Sequence, residues 1–530
     1  MKNQNCTIKN ALISTFNKNG IAQFAKQLLQ KNIQIYSTNN TQIFLKQQNI
    51  ITKNIYDITQ FPEILNGKIK TLHPKIFGGI LGTQKYDTKD IEKYDITIFD
   101  LLIINFYPLS NYSNNIDIIK YIDIGGPAMV RAGVKNYKNT AVIIDKSDYK
   151  NVLEEIDNYG YVSYITKLNL AKKAFEYLVN YDNTILQCLQ QSDPKKDQQE
   201  KLFPKNLYFK YVKKQNLKYG ENPYQKSALY IKDKASFHSG CIDTMKQLNG
   251  NQLSYNNIYD AHIAFECINQ FTQPGCVIVK HGNPCGAALS TNALLAYFKA
   301  YNSDQISAFG GIIAFNQLIN EEIVISIIKN QFVEVIIAPN ITDQALQYIK
   351  NYPKIKLIIC GTNNNSNTHS EFEFKSIKNS LLIQNTECGN SSTEKWKIVT
   401  KTKISTLELK YAEFCWKITK FVKSNAIVCS HKFNIISISS GQTNRLEAVK
   451  HANTKLKNNE KIFNLHNKKI IMSSDAFFPF RDSIDICQKN HHKISCIIQP
   501  GGSIRDSEVI QAANEHNICM IFTQERIFKH

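Results

Sequence analysis

Residues 10–38 read NALISTFNKNGIAQFAKQLLQKNIQIYST, and this stretch decides the fold of the first part of the chain. It begins with NALIST, a short apolar run that predicts a buried β-strand followed by a turn. GIAQFAKQLLQK then spaces its apolar residues as one face of an amphipathic helix, and NIQIYST is again a strand pattern. Two further strand patterns are TIFDLLIINFYP (97–108) and TAVIID (140–145). This alternation predicts a parallel sheet covered by helices, with ligands bound in loops at the carboxyl ends of the strands.

The second half contains further strand patterns, each leading into a polar or glycine-rich loop. They are GCVIVK (275–280), FNIISIS (433–439), KKIIMSS (468–474) and ISCIIQ (494–499). After the first of them, the loop HGNPCG is predicted to lead directly into a helix formed by AALSTNALLAYFKAY. The recurring strand–loop–helix order predicts an α/β fold class for the whole chain.

Two polar tracts mark candidate domain boundaries. QQSDPKKDQQEKLFPK (190–205) combines charge, glutamine and two prolines without an apolar period, which predicts a linker. GTNNNSNTHSE (361–371) predicts an exposed loop. At roughly 100–200 residues per domain, a chain of 530 residues is expected to hold about three domains. We place them at 1–195, 205–365 and 366–530.

The chain is strongly basic, with 64 Lys+Arg against 44 Asp+Glu and a formal net charge of +20. Such an excess is compatible with binding nucleic acid or an acidic small molecule. The charge is diffuse, and lysine, asparagine and isoleucine are frequent along the whole chain, which favours compositional bias over a nucleic-acid-binding patch. We therefore expect no nucleic-acid partner, and a basic nucleic-acid-binding protein is the alternative from another class.

The 13 cysteines are scattered singly between Cys6 and Cys519, without any CxxC pair. This pattern predicts neither a disulfide framework nor a thiolate zinc site, and it indicates a reduced, cytosol-like compartment. No window approaches the roughly 18 apolar residues of a membrane span. The start, MKNQNCTIKN, lacks the pattern of a signal peptide. A soluble cytosolic protein without membrane contact is expected.

A chemistry-bearing motif closes the strand pattern GCVIVK. Lys280 and His281 put a cation next to a group that titrates near neutral pH, which suits general acid/base chemistry. Asn283 adds a fixed amide, and Gly286 permits a tight turn. The alternative is a turn with a solvated lysine and a hydrogen-bonded histidine. A deaminase-type zinc site is not predicted, because that motif needs H-x-E with P-C-x-x-C and Cys285 has no second cysteine.

Two motifs in the first half have the chemistry of anion binding. Lys68 and Lys70 occupy alternate positions of an extended segment, so both would face one side as an anion clamp or as a solvated edge strand. Gly125 and Gly126 begin a helical pattern, where free backbone N–H groups favour phosphate. A glycine-rich helix start can also be purely structural.

The second half offers further candidates. Lys218 and Tyr219 begin a polar turn, and Arg445 follows a strand pattern as a candidate anion ligand. Phe477 belongs to an aromatic cluster that either lines a pocket for a flat heterocycle or packs inside the protein. The terminal His530 has no role that its position alone can support, since chain ends are usually frayed.

Taken together, the types and order of these motifs resemble those of the bifunctional purine biosynthesis proteins. That family joins phosphoribosylaminoimidazolecarboxamide formyltransferase to inosine monophosphate (IMP) cyclohydrolase. The resemblance runs from ALISTF to His530. The segments that carry it include FPEILNGKIKTLHPKIFGGIL, IDIGGPAMVRAGVKN, LKYGENPYQ, CVIVKHGNPCG, SAFGGIIAF, FVKSNAIV, SSGQTNR, SDAFFPFRDSID and IQPGGSIRD.

The resemblance implies an N-terminal methylglyoxal-synthase-like domain with a parallel sheet, which would be the cyclohydrolase. It also implies a C-terminal transformylase of two cytidine-deaminase-like subdomains without catalytic zinc. The expected reactions are formyl transfer from the co-substrate 10-formyltetrahydrofolate to 5-aminoimidazole-4-carboxamide ribonucleotide, and dehydrative ring closure to IMP. The resemblance further implies a homodimer whose transformylase sites lie at the interface, and no metal for the chemistry.

For formyl transfer, the resemblance implies three catalytic residues. His281 would accept or shuttle the proton, Lys280 would be the cation near the formyl oxygen, and Asn425 would orient the reacting groups. Contacts to the nucleotide and folate are expected from Lys218, Tyr219, Phe309, Gly310, Arg445, Phe477, Asp482, Arg526 and His530.

For ring closure, the resemblance implies that Lys70 and Lys135 polarise or protonate oxygens, while Tyr107 and Asp123 shuttle protons. The remaining substrate contacts are expected from Ser14, Lys18, Ser37, Thr38, Thr41, Lys68, Thr71, Asn105, Gly125 and Gly126.

The sequence departs from the family pattern at the expected phosphate loop, Ser37–Thr41. Asn39 and Asn40 stand where two glycines are usual, which predicts a backbone cost if the loop needs positive φ. Lys68 and Lys218 stand where arginine is usual, keeping the charge but losing bidentate geometry. The rival within the same family is therefore a transformylase with a degenerate N-terminal phosphate-binding domain.

Overall fold

The structure is a computed structural model. It describes residues 7–107, 116–191, 202–232, 242–361, 372–386, 393–466, 468–487 and 494–530. The chain divides into two compact units, Met1–Tyr208 and Phe209–His530. The two polar tracts interpreted as boundaries lie mostly outside the described residues, so the three-domain division stays a prediction. In the described part of the chain, no helix combines the length and the apolar character that crossing a membrane requires.

The first unit is built on a parallel sheet. Its helices are α1 (Ile21–Gln30), α2 (Asn39–Gln47), α3 (Tyr56–Thr59), α4 (Pro74–Leu81), α5 (Thr88–Lys93), α6 (Gly125–Lys135), α7 (Tyr149–Tyr159) and α8 (Tyr164–Gln191). Its strands are β1 (Asn10–Thr15), β2 (Gln34–Ser37), β3 (Lys53–Asn54), β4 (Leu101–Asn105) and β5 (Ala141–Ile143). The order β3-β2-β1-β4-β5 reverses direction between β1 and β4. Such a reversal opens a crevice at the carboxyl ends of these two strands.

The predicted strand–helix–strand stretch folds as its apolar pattern indicates. In β1, Ala11, Leu12 and Ile13 are all fully buried, because helices cover both faces of a parallel sheet. In α1, the side chains of Ile21, Phe24, Ala25 and Leu28 are buried along one face. This packing fixes where β1 ends and therefore where the crevice begins.

The second unit is built on a mixed sheet and two separate hairpins. Its strands are β6 (Tyr211–Leu217), β7 (Ser227–Lys232), β8 (Lys246–Asn249), β9 (Gly275–Lys280), β10 (Asn283–Leu289), β11 (Gly311–Phe315), β12 (Val333–Ala338), β13 (Lys356–Ile359), β14 (Phe372–Ile377), β15 (Ser380–Asn385), β16 (Lys397–Ile398), β17 (Ile427–His431), β18 (Asn434–Ser439), β19 (Ile470–Ser474), β20 (Ile494–Gln499) and β21 (Cys519–Phe522). Its helices are α9 (Tyr255–Ile268), α10 (Ala293–Ser303), α11 (Gln305–Ala308), α12 (Glu321–Asn330), α13 (Asp343–Ile349), α14 (Thr406–Thr419), α15 (Arg445–Asn458), α16 (Glu460–Phe463), α17 (Asp482–Cys487) and α18 (Asp506–Glu515).

The large sheet has two halves of matching order. Within the described residues its strands run β16-β21-β20-β19-β17-β18-β10-β9-β11-β12-β13-β8. The central pair is β10 with β18, which are antiparallel. Outward from this pair, each half has the first strand of its hairpin, three mutually parallel strands and an antiparallel edge strand. The sequence β8-α9-β9-β10-α10-β11 in one half corresponds to β16-α14-β17-β18-α15-β19 in the other.

One sequence prediction about this unit is wrong. Residues 283–289 were expected to form a loop and the start of a helix, but they form β10, which pairs antiparallel with β9. The reason lies in the turn, because His281 (φ 52°) and Gly282 (φ 74°) are both left-handed and reverse the chain within two residues. The helix starts only at Ala293, capped by the side chain of Asn292.

Candidate active sites

A cluster of hydroxyl groups lies at the carboxyl ends of β1 and β2. Thr38 Oγ1 is 3.3 Å from Ser14 Oγ and 3.4 Å from Thr41 Oγ1. Lys18 Nζ donates to Thr41 Oγ1 at 3.0 Å and also to the carbonyl of Thr15. The structure therefore brings together four residues that the sequence predicted to contact substrate, and it places a cation among them.

The predicted phosphate loop forms the start of α2. Ser37 is fully buried and its hydroxyl lies 2.7 Å from Thr52 Oγ1, so its side chain supports the strand end. Asn39 and Asn40 form the first turn of α2 with helical backbone angles. The predicted backbone cost of these asparagines is wrong, because a helix start needs negative φ, which any residue adopts. The free N–H groups of this turn keep their capacity to bind an anion.

Lys70 and Asp123 add groups that can transfer protons to this crevice. Burial lowers the pKa of Lys18 to about 8, and the positive charge of Lys70 acts in the same direction. Burial raises the pKa of Asp123, opposed by hydrogen bonds from Gly126 and Gly125 and by the charge of Lys70. Lys70 is therefore within electrostatic reach of both Lys18 and Asp123.

The two glycines at the start of α6 are required by close contacts. A Cβ at Gly125 would collide with Thr71 Oγ1, and one at Gly126 would collide with Asp123 Oδ2 and the ring of Phe106. The backbone N–H of Gly126 donates to Asp123 Oδ1 at 3.1 Å. These glycines hold the carboxylate of Asp123 against the helix start, which is a positional role consistent with their prediction as site residues.

Aromatic rings and an amide surround the end of β4. The ring of Tyr107 stacks on Tyr121 at 5.3 Å between centroids and meets the edge of Phe16 at 4.4 Å. Asn105 Oδ1 accepts hydrogen bonds from the backbone N–H groups of Phe16 and Asn17 at 2.7 and 2.8 Å. Asn105 therefore shapes the loop after β1.

Two predicted residues of this unit are exposed. Lys135 is exposed at the last turn of α6, and a helix of that length separates it from Gly125 by about 15 Å along the axis. Lys68 is exposed in the turn that precedes Lys70. The structure does not bring Lys135 together with Asp123 and Lys70, and its catalytic role stays a prediction.

The second candidate site is the turn between β9 and β10. His281 is exposed, and its backbone N–H donates to Asp260 Oδ2 at 3.1 Å, while that of Gly282 donates to Asp260 Oδ1 at 2.8 Å. Lys280 Nζ donates to the carbonyl of Phe309. A Cβ at Gly310 would lie only 3.3 Å from that ammonium group. The predicted pair thus sits on a turn whose backbone is held by a carboxylate that the sequence analysis missed.

Asn283 connects this turn to the segment that carries Asn425. Its Oδ1 accepts from the backbone N–H of Lys423 at 3.0 Å, and its Nδ2 donates to the carbonyl of His281 at 3.3 Å. Asn425 Nδ2 donates to the carbonyl of Gln442 at 2.9 Å. The three predicted catalytic residues of the second unit therefore lie on two segments joined by a direct hydrogen bond.

Arg445 is placed differently from its prediction as a substrate contact. Its side chain is 5% exposed and its guanidinium donates to Asp475 Oδ1, to the carbonyl of Ala426 and to Asn425 Oδ1. Asp475 is fully buried and also accepts from the hydroxyl of Ser424. A buried ion pair of this kind uses its charge internally, so the geometry makes Arg445 a support for Asn425.

The chain terminus is anchored beside this network. The backbone N–H of Lys529 donates to Ser424 Oγ at 3.2 Å, and the N–H of Ser424 donates to the carbonyl of Lys529 at 2.9 Å. The ring of His530 lies 5.7 Å from that of Phe528, over which Arg526 also lies. These contacts bring the predicted residues of the tail close to Asn425, which sequence position alone could not indicate.

The remaining predicted residues make local contacts. Lys218 Nζ lies 5.4 Å from the ring centroid of Tyr219. Asp482 accepts from the backbone N–H of Ser483 at 2.6 Å at the start of α17. Phe309 and Phe477 are exposed, at 59% and 38%, and are available for contact. Their roles as substrate contacts stay predictions.

Metal ligands were not expected in either site. Within the described ranges, no group of three or more His, Cys, Asp or Glu side chains is arranged to hold a metal ion. The expectation that the chemistry needs no metal stays a prediction.

These observations define a two-unit α/β protein with one crevice lined by hydroxyl groups and a lysine, and one turn that carries Lys280 and His281. Each holds groups that can transfer protons. Comparison with family models matches residues 133–455 to the AICARFT/IMPCHase bienzyme and residues 20–128 to an MGS-like domain. The chain therefore belongs to the AICARFT/IMPCHase bienzyme family, and its first unit has the MGS-like fold.

Full-length relatives agree with this assignment. The bifunctional purine biosynthesis protein PurH of Buchnera aphidicola subsp. Schizaphis graminum (strain Sg) is 47% identical over 534 residues, which cover 99% of both chains. The protein of the same name from Buchnera aphidicola subsp. Acyrthosiphon pisum (strain Tuc7) is 46% identical over 535 residues, again covering 99% of both. That from Buchnera aphidicola subsp. Baizongia pistaciae (strain Bp) is 44% identical and covers 100% of both chains.

Proposed function

We propose that this chain catalyses the last two steps of purine biosynthesis. A formyl group moves from 10-formyltetrahydrofolate to the exocyclic 5-amine of 5-aminoimidazole-4-carboxamide ribonucleotide, and the product then closes to IMP with loss of water. The observation that carries the proposal is the similarity to bifunctional relatives over 99% of the chain, which includes both units and both candidate sites. A folate-type formyl donor follows from membership of a formyltransferase family.

Formyl transfer needs removal of a proton and stabilisation of an oxyanion. The amine is a poor nucleophile because its lone pair is drawn into the imidazole and the amide. We assign proton removal to His281, which is exposed at the turn, and stabilisation of the formyl oxygen to the ammonium group of Lys280. Asn425 would orient the reacting groups, and Arg445 would fix the amide of Asn425 through its hydrogen bond to Oδ1.

Ring closure needs positioning, proton transfer and stabilisation of an oxyanion, but no cofactor. The start of α2 and the ammonium group of Lys18 would bind the phosphate of the nucleotide. Lys70 would polarise an oxygen, while Asp123 and Tyr107 would transfer protons. The raised pKa of Asp123 supports this role, because burial prepares the carboxyl to take up a proton during the reaction.

Several finer features belong to the proposal. The matching halves of the large sheet support two related, cytidine-deaminase-like subdomains. Family membership supports a homodimer with transformylase sites at the interface and a cytosolic location. Direct contacts to nucleotide or folate are proposed for Lys218, Tyr219, Phe309, Gly310, Phe477, Asp482, Arg526 and His530.

Neither alternative function is favoured. A transformylase with a degenerate first domain was suggested by Asn39 and Asn40, but their helical geometry leaves the N–H groups of α2 in place. A nucleic-acid-binding role was suggested by the net charge of +20, but the three full-length relatives described above are named as purine biosynthesis proteins.

The experiment that tests the proposal follows synthetic 5-formamidoimidazole-4-carboxamide ribonucleotide with the purified protein, without folate. We expect IMP to form well above the spontaneous rate. A parallel assay follows formyl transfer from 10-formyltetrahydrofolate. Formyl transfer without accelerated ring closure would replace the bifunctional proposal with the transformylase alternative.

The pH dependence of ring closure is expected to reflect Lys18. Its pKa is lowered to about 8, so the free enzyme loses the positive charge of Lys18 as the pH rises through that value. Because the charged form binds phosphate, kcat/KM for ring closure should fall above about pH 8. Lys18→Arg should move this fall to higher pH, since a guanidinium stays charged. An unchanged fall in Lys18→Arg would contradict the assignment.

Asp260 is expected to position the lysine–histidine turn. Asp260→Asn places an NH₂ group where one backbone N–H now donates, so the turn must shift. A displacement of about 1 Å can lower a rate by about 100-fold, so we expect a loss of that size in kcat for formyl transfer, with a small change in KM. Asp260→Glu should recover part of it, and ring closure should not change. Loss of ring closure as well, or a change confined to KM, would exclude a positioning role.

A further inference from the structure

A cavity of about 350 Å³ belongs to neither candidate site. It lies in the half of the large sheet that contains β16 to β21, called the second half below, while the half with β8 to β13 is called the first. Its lining includes Tyr411 of α14, His431 at the end of β17 and the adjacent Lys432. Two further lysines, Lys468 and Lys469, lie just before β19, and the lining also includes Glu408 and Ser495. Its volume is at the lower end of the range for small-molecule sites.

The position of this cavity follows from the matching order of the two halves. Lys280 pairs with Asn283 across the turn between β9 and β10, and His431 pairs with Asn434 across the turn between β17 and β18. The next residue in each turn is left-handed, with φ of 52° and 54°. The cavity is therefore built around the counterpart of the turn that carries the proposed formyl-transfer pair, and a histidine and a lysine are adjacent in both.

The correspondence extends to the surrounding elements, but neutral residues stand where two acidic residues of the first half lie. Tyr411 stands as far after the cap of α14 as Asp260 stands after the cap of α9. Ser495 is the second residue of β20, as Glu334 is of β12. Two carboxylates in the first half thus correspond to two neutral hydroxyl groups in the second.

The second half has lysines at two positions where the first half has uncharged residues. Lys468 and Lys469 directly precede β19, at the positions that Phe309 and Gly310 hold before β11. Lys469 pairs with Glu408 at 2.8 Å. Lys468 Nζ donates to the carbonyl oxygen of Phe463 at 2.7 Å. Because a carbonyl is neutral, this bond leaves the charge of Lys468 uncompensated. Among the described lining residues, three lysines face a single carboxylate, so their net charge is positive.

His431 contributes a ring nitrogen to the same space. Its Nδ1 lies 2.9 Å from the carbonyl of Lys469, and because a carbonyl only accepts, Nδ1 carries the proton. Burial lowers the pKa of His431, and the charges of Lys468 and Lys432 act in the same direction. The negative charge of a bound anion would raise the pKa of His431 and so oppose the effect of the two lysines.

We propose that this cavity is a third ligand site, which binds a small phosphate-bearing anion. The ammonium groups of Lys432 and Lys468 would contact the phosphate. The ring of Tyr411 and the side chain of Ile471 form a less polar wall for the organic part of a phosphate ester. Free phosphate and a phosphate ester carry the same anionic group. Only the ester has an organic part that can contact this wall.

The test is hydrogen–deuterium exchange of the full chain, read out on peptides from β17, β18 and β19, with inorganic phosphate or ribose 5-phosphate. Potassium chloride at matched ionic strength is the salt control. Asn425 and Asp475 adjoin the opposite ends of β17 and β19, so the readout that counts is confined to peptides covering the β17–β18 turn and the start of β19. Phosphate is expected to protect these peptides saturably where chloride does not. A lower midpoint for ribose 5-phosphate would identify an ester as the better ligand, and equal midpoints would identify phosphate alone.

The variant Lys432→Gln/Lys468→Gln should raise the midpoint at least about tenfold, because each lysine loses a charge-assisted hydrogen bond. The control Lys457→Gln/Lys461→Gln removes the same charge from exposed positions outside the cavity lining. It should keep the wild-type midpoint. Absence of protection, equal protection by chloride, or equal shifts in both variants would overturn the proposal. Thermal melts of both variants confirm folding.

Discussion

His281→Ala is expected to lower kcat for formyl transfer by about 10³-fold while ring closure of supplied formyl-nucleotide keeps its wild-type rate. Loss of a positioned general base typically costs 10²–10⁴-fold. The side chain of His281 is exposed and the turn is held through backbone N–H groups, so removing the imidazole leaves the hydrogen bonds to Asp260 intact. Both rates are measured on the same purified variant.

A matched control separates this effect from a general loss of structure. His451→Ala removes a histidine of the same unit, on α15, whose Nδ1 contacts Ser439 Oγ at 3.1 Å. We expect its formyl transfer rate to stay within a few-fold of wild type. Equal loss of both activities in His281→Ala, with an unchanged melting curve, would contradict two separate sites.

The parts of the fold that could be predicted are those that depend on local apolar spacing. The stretch from β1 to β2 was predicted correctly, because the buried residues Leu12, Phe24 and Leu28 belong to apolar patterns that lie within single elements. The β9–β10 hairpin was missed because its first turn position is neither glycine nor asparagine. That position is His281, whose φ of 52° is uncommon for a residue other than glycine.

The supporting residues could not be found from the sequence, because their partners are distant along the chain. Asp260 lies in α9 and contacts a turn that follows β9, and no local pattern marks it. Asp475 is the second residue of the segment SDAFFPFRDSID, so a signal existed, but its pairing with Arg445 depends on how β17 and β19 align. A sequence shows that Arg445 is charged, and only the structure shows that the charge is already paired.

The same reasoning applies to the lysine-rich cavity. The turn His431–Lys432 was absent from the sequence hypotheses because its residues share only types, and not order, with Lys280–His281. The correspondence becomes visible only through the strand order and through the shared left-handed residue in each turn. Weakly similar sequence can therefore hide a duplicated arrangement.

Asp123→Asn is expected to give the opposite pattern to His281→Ala, with ring closure lowered by about 10²- to 10³-fold and formyl transfer retained. Asparagine keeps an oxygen that can accept from the N–H of Gly126, so the start of α6 should hold its shape. It cannot take up a proton, and the loss should therefore fall on kcat with little change in KM. Ring closure of the synthetic formyl-nucleotide measures both constants.

Asp95→Asn is the matched control, because Asp95 is an exposed carboxylate of the same unit, paired only loosely with Lys75 at 3.6 Å. It should leave both reactions unchanged. If Asp123→Asn raised KM alone, the carboxylate would be a binding group and proton transfer would fall to Tyr107 or Lys70. Reciprocal losses in His281→Ala and Asp123→Asn would instead show that each unit performs its own reaction, since each variant then serves as the folding control for the other.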